Sequence, residues 1–176
     1  ENEINKAVKR ILTLKFKLGL FDDPYLYSSE TREKNLVGSS AHLDLALEAA
    51  LKSIVLLKNE NQFLPLKKDQ KIALIGPLAN DSDAPLGNWR AHASSNSAIS
   101  LLDGMRTVFE SNITFAKGCE LSVGSNNFFE ELKINNSDYS RFKQAVDLAR
   151  KSEIVVMALG EPAYMSGEGR SRSNID

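Results

Sequence analysis

The chain has 176 residues, with 22 Lys and Arg against 23 Asp and Glu, a net charge of −1, and 42% hydrophobic side chains. This is enough apolar material for one ordinary core, and the even charge balance argues against nucleic acid or an anionic membrane as partner. The longest apolar runs, "SIVLLK" and "IVVMALG", fall far short of the roughly 20 residues of a membrane helix, so a neutral or small ligand is the class that remains.

Residues 2 to 18 place Ile4, Ala7, Val8, Ile11, Leu12, Leu14 and Leu18 at helical spacing among lysines and an arginine, and Gly19 is a natural stop. The following "FDDPYLYSSETREKNLVGSS" is polar and turn-rich without periodicity, which predicts an extended linker and marks a composition break. A second helix begins at Ala41, with Leu43, Leu47, Ala50 and Leu51 on one side and Asp44, Glu48 and Lys52 on another, and gives way to β-branched "SIVLLKN". His42 falls on the surface of that helix. "KIALIGP" then reads as a buried strand ended by Gly-Pro. "SAISLLDGMRTVFES" reads as a helix with Ile99, Leu102, Met105 and Val108 in register, although Gly104 weakens it. "NITFAKG" is strand-like. "SDYSRFKQAVDLARKS" is a helix with a cap at Ser137 or Asp138, and "EIVVMALG" returns to strand. Strand, helix, strand, helix, strand at this spacing predicts an α/β fold with a parallel sheet and right-handed crossovers.

Ligands of such sheets bind beyond the carboxyl ends of the strands. Two long, polar, glycine-bearing loops leave strand ends there: "GPLANDSDAPLGNWRAHASSNS", 76 to 97, and "GEPAYMSGEGRSRS", 160 to 173. Gly76-Pro77 is not a phosphate cradle, because G-x-G-x-x-G is absent and Pro77 removes a donor. Neither histidine sits in a nucleophile-elbow context. Trp89, the only tryptophan, lies on a polar loop, where a flat face for a sugar ring is favoured over packing. Arg90 and His92 stand beside it; ligand contact and plain exposure are equally open for His92. Glu161 and Glu168 are two loop glutamates whose composition alone leaves them solvated. Cys119 has no Cys or His neighbour at metal-ligand spacing and reads as a small residue buried near a strand end.

Taken together, "AVKRILTLKFKLGLFDDPY", "HLDLALEAALKSIVLLKNENQFLPLKKDQKIALIGPLAN", "GNW", "ITFAKGCEL" and "VVMALGEPAYMSGEGRSRSNID" resemble, in order and over nearly the whole chain, the C-terminal part of glycoside hydrolase family 3, in particular its periplasmic β-glucosidases. The resemblance implies the last helix of a (β/α)8-type barrel at 1–19, an interdomain linker at 20–40, and an α/β sandwich domain at 41–176 that is incomplete at its C-terminus. It implies retaining hydrolysis of terminal β-D-glucosyl residues, with two carboxyl groups about 5 to 5.5 Å apart. The family's nucleophile aspartate belongs to the barrel, in an S-D-W or S-D-H motif that these residues do not contain. The acid/base is the second glutamate of a G-E-x6-H/G-E pattern, which falls on Glu168 and leaves Glu161 in a supporting role. A guanidinium beside the acid would favour its ionised form and work against proton donation, so Arg170 and Arg172 are read as structural. Plant members carry a second tryptophan four positions beyond the one that matches Trp89; here that position is Ala93.

No cofactor or metal is implied. The expected partners are a β-glucoside or oligosaccharide and the barrel domain of the same protein, with self-association into a homo-oligomer left open. A periplasmic or secreted location follows from the resemblance alone, since no signal peptide is visible and the chain opens in mid-helix without a methionine. Family sequences continue past the position of Asp176, so the chain is expected to expose a sheet edge and apolar surface, and to be inactive by itself. The rival readings are a noncatalytic carbohydrate-binding or interaction module of the same fold, and a regulatory domain that holds a small anion in "GEGRSRS".

Overall fold

The computed structural model describes residues 1–127 and 130–171. The chain forms two compact units, Glu1–Asn61 and Gln62–Asp176. The first is helical: α1 (Asn2–Lys17), α2 (Glu30–Leu36) and α3 (Ser40–Ser53). None of the three has a buried residue, and the leucines and isoleucines of α1 and α3 are exposed. α2 lies inside the stretch expected to be extended. Ser29 caps it by accepting from Arg32 N–H at 3.2 Å, and Glu30 and Lys34 stand one turn apart on its surface, so local capping supplies the helix that apolar periodicity did not announce.

The second unit is built on a parallel sheet of β1 (Ile72–Ile75), β2 (Ile113–Ala116) and β5 (Ile154–Met157), with β1 in the centre. Between them lie α4 (Leu101–Phe109), the short antiparallel pair β3 (Ser122–Val123) and β4 (Lys133–Ile134), and α5 (Phe142–Arg150). The register pairs Ile72 with Ile113 on one side and with Ile154 on the other. After β1 the chain moves to one neighbour, then crosses back over β1 to the other. With right-handed crossovers, this puts the two connecting helices on opposite faces.

Alternation along β1 serves both faces. Ile72 and Leu74 pack with Ile113, Ile154 and Leu102, with Met105 and Phe109 of α4 beside them, whereas Ala73 and Ile75 meet Ala116 and Ala145, with Leu148 and Ala149 of α5 beside them. Burial of a side chain such as Ile72 or Leu74, each essentially inaccessible, contributes about 1.5–3 kcal/mol. α4 starts at Ser100, whose buried hydroxyl accepts from Asp103 N–H at 3.1 Å and donates to Asp103 Oδ2 at 2.8 Å. α5 starts later than the sequence pattern predicts. Asp138 does not cap it: its carboxylate accepts from Ser140 N–H at 2.9 Å and is used up in a turn before the helix. On the α5 face, Val155, Met157 and Leu159 remain exposed beside Phe142 and Val146, and line an apolar groove of about 360 Å³.

Candidate active site at the carboxyl ends of the strands

β1 and β5 are parallel neighbours, so the loops that follow them leave the same edge of the sheet. Gly76 makes their junction possible. At φ 137° it lies so close to β5 that a Cβ would fall 2.2 Å from the carbonyl oxygen of Ala158, while Ala158 N–H donates to Ile75 O at 2.8 Å. Beyond this junction, the turn Ala84–Leu86 of the first loop packs against the turn Ala163–Met165 of the second.

The 76–97 loop is folded on itself by Asp81 and Asp83. Asp81 Oδ1 accepts from the N–H groups of Asp83 and Ala84, both at 2.8 Å, and Asp83 Oδ1 accepts from Asn96 N–H at 3.0 Å. Asp83 also forms an ion pair with Arg90, and the hydrogen bond from this guanidinium, with that from Asn96, holds its carboxyl below the usual carboxylate range. Arg90 is thus half-buried and turned to Asp83. Its neighbour Trp89 is 76% exposed, and His92 is exposed as well.

The 158–171 loop carries both glutamates at its surface, Glu161 next to Gly160 and Glu168 between Gly167 and Gly169. Gly167 and Gly169 have φ of 103° and 76°, so the backbone turns sharply on each side of Glu168 in conformations open to glycine. Gly167 lies against the side chain of Asn88, the residue before Trp89. The structure therefore brings the loops of Trp89 and Glu168 into contact, one residue from each.

Arg170 fastens this loop on its other side, to partners that the sequence did not name. Arg170 donates from Nε to Tyr164 O at 3.1 Å, from Nη1 to Glu130 O at 2.8 Å, and from Nη2 to Asn127 O at 2.9 Å. Tyr164 Oη lies 3.1 Å from Ser122 Oγ. Backbone acceptors leave no mark in the sequence, and only the glycines around Glu168 signalled a sharp turn. Arg172, the other arginine of the motif, lies outside the described residues. Cys119 is a free thiol, partly buried, beyond the end of β2. Among the described residues no group of three or more His, Cys, Asp or Glu is placed to hold a metal ion, and no helix is long and apolar enough to cross a membrane.

Residues 54–176 match the model of the glycosyl hydrolase family 3 C-terminal domain. The chain is 34% identical to a periplasmic beta-glucosidase of Salmonella typhimurium, over 98% of its own length and 24% of that protein's. It is 35% identical to a beta-xylosidase of Formosa agariphila, over 98% of its length and 23% of the relative's. Among solved structures, the Listeria innocua beta-glucosidase in complex with isofagomine superposes with a TM-score of 0.74 at 33% identity, covering 96% of this chain and 21% of that one. A mutant of the same enzyme in complex with laminaribiose gives 0.75 at 33% identity, again over 96% and 21%. The chain spans about a quarter of the curated relatives it matches.

Proposed function

The chain belongs to glycoside hydrolase family 3, and from that premise we propose that it supplies the acid/base side of a retaining β-glucosidase cleft, with Glu168 as the group that protonates the leaving oxygen. The observation that carries this reading is the contact of Gly167 with Asn88, which sets the loop of an exposed glutamate against the loop of an exposed tryptophan. In the first step Glu168 gives its proton to the glycosidic oxygen as the bond to the anomeric carbon breaks, while an aspartate of the barrel domain bonds to that carbon. In the second, Glu168 takes a proton from water as the water oxygen bonds to the anomeric carbon and the bond from that carbon to the aspartate breaks, which releases the sugar and the free carboxylate. Trp89 offers its exposed face to a sugar ring, with Arg90 and His92 on the same loop at the rim. Glu161 supports the turn at the end of β5.

In the full-length protein, residues 1–19 close the barrel, 20–40 link the domains and 41–176 begin the sandwich domain. The substrate is a terminal β-D-glucosyl residue, and the relative named as periplasmic supports an extracytoplasmic location. Relatives named as β-xylosidases make the xyloside the competing substrate, which parallel assays on aryl β-glucoside and aryl β-xyloside decide. The test of Glu168 is Glu168→Gln in the full-length protein. Aryl glucosides with good leaving groups should slow far less than alkyl glucosides, because an acid matters least where the leaving group needs no proton. Equal losses on both would remove Glu168 from the role.

A further inference from the structure

The stretch between β2 and α5 contains a braced excursion. β3 and β4 pair across it, with Ser122 opposite Ile134 and Val123 opposite Lys133. Asn135 closes its base: its N–H donates to Leu121 O at 3.0 Å, its Nδ2 to Glu120 O at 2.9 Å, and its Oδ1 accepts from Asp138 N–H at 2.9 Å. Among the described residues this excursion meets the glutamate loop both before Glu168 and after it. Before it, Tyr164 meets Ser122; since Ser122 Oγ donates to Asn126 Oδ1 at 2.8 Å, the Tyr164 hydroxyl is the donor to Ser122. After it, Arg170 spans from its own loop at Tyr164 O to Asn127 O and Glu130 O of the excursion. A planar guanidinium has its donors in a fixed fork, so binding carbonyls of two separate segments sets their relative position as well as holding them together.

We propose that Arg170 is a positioning residue which, with Tyr164, fixes the glutamate loop to Ser122, Asn127 and Glu130 and thereby aims Glu168 at the leaving oxygen. The proposal rests on Glu168 being the acid. Proton donation needs hydrogen-bond reach to one atom, and a displacement of about 1 Å can cost on the order of a hundredfold in rate. The contacts with the Trp89 loop, at Ala163–Met165 and at Gly167, precede Glu168; Arg170 adds an attachment after it, so the glutamate is held from both sides. Arg170 directs its guanidinium at backbone carbonyls, so its loss should act through the proton and not through affinity.

The test uses the full-length protein and two substrates, a dinitrophenyl β-glucoside and an alkyl β-glucoside. Arg170→Ala should lose about tenfold or more in kcat/KM on the alkyl glucoside and less than about threefold in kcat/KM on the dinitrophenyl glucoside, since kcat/KM reads the bond-breaking step before water, and with it the base role of Glu168, enters. Added guanidinium ion at millimolar concentration should restore part of the loss. Equal losses on both substrates, or no loss, overturn the proposal. If Arg170→Ala gives no folded protein, Arg170→Lys, which keeps the charge but not the fork, should show the same discrimination at smaller size, and a uniform loss there is the overturning result. Glu168→Gln separates the two ideas: if it discriminates between the substrates and the Arg170 variants do not, the positioning role alone fails, whereas if it does not discriminate, the acid assignment fails and the positioning role with it.

Discussion

Gly167 rests against Asn88 so closely that a β-carbon built on it would lie 1.3 Å from Asn88 Nδ2 and 2.6 Å from Asn88 Cγ. The glycine also has φ 103°, a conformation that strains any other residue. Gly167→Ala should therefore cost about 1–3 kcal/mol locally and displace the loop that carries Glu168. Adding Asn88→Ala removes the clash but not the backbone strain. The double variant should recover part of the loss, with a coupling of about 0.5 kcal/mol or more in unfolding measurements on the full-length protein. Strict additivity would show that the two residues do not meet.

Gly76 makes the harder demand. The atom that its missing Cβ would strike is the oxygen of Ala158, a backbone atom whose residue is tied through its N–H to Ile75 O and which has no side-chain torsion to turn it away. Gly76→Ala should open the junction of β1 and β5 at the edge where both loops leave, with a cost above about 3 kcal/mol, and is expected to abolish soluble expression or lower the unfolding midpoint sharply. A variant with wild-type stability would contradict the close approach.

The parts of this architecture that were legible in the sequence are those with long-range apolar consistency. Ile72 to Ile75, Ile113 to Ala116 and Ile154 to Met157 form short β-branched or apolar runs, and the helices between them carry stripes that match the faces they bury. Polar chemistry was harder to read. Asp138 had the spacing of a helix cap but spends its carboxylate on a nearer amide, and α2 is held by Ser29 and surface charge in a stretch with no apolar period. β3 and β4 are two residues each, too short for alternation to show, yet they carry the excursion to which Arg170 is tied. The resemblance could single out Glu168 within its motif, but the meeting of Gly167 with Asn88 and of Tyr164 with Ser122 depends on tertiary placement.

The pair of Asp83 and Arg90 should give the Trp89 loop an acid-sensitive hold. The Asp83 carboxyl is held below the ordinary carboxylate range, first by the hydrogen bond from Arg90 and then by that from the amide of Asn96. A group with a depressed folded pKa adds stability that is present above its unfolded pKa and is lost as pH falls through the folded value. The hold on the loop is therefore complete at neutral pH and disappears only below the ordinary carboxylate range. Asp83→Asn should be less stable than wild type near neutrality, and the difference should shrink as the medium is taken below about pH 4. A difference that stays constant down to strong acid would show that Asp83 acts without its charge.

Trp89 distinguishes packing from ligand contact by where its loss is felt. With 76% of its surface exposed, its ring contributes little to the core, and Trp89→Ala should change unfolding stability by no more than about 0.5 kcal/mol. If the ring is a platform for a sugar, the same variant should raise KM for an oligosaccharide by about tenfold while kcat on a dinitrophenyl glucoside moves far less, since that contact is present before and during bond breaking alike. Trp89→Phe, which keeps a smaller aromatic face, should lie between the two. Loss of stability without a change in KM would make Trp89 a structural residue of the loop, and recognition of the sugar would then fall to the remaining rim residues, Arg90 and His92.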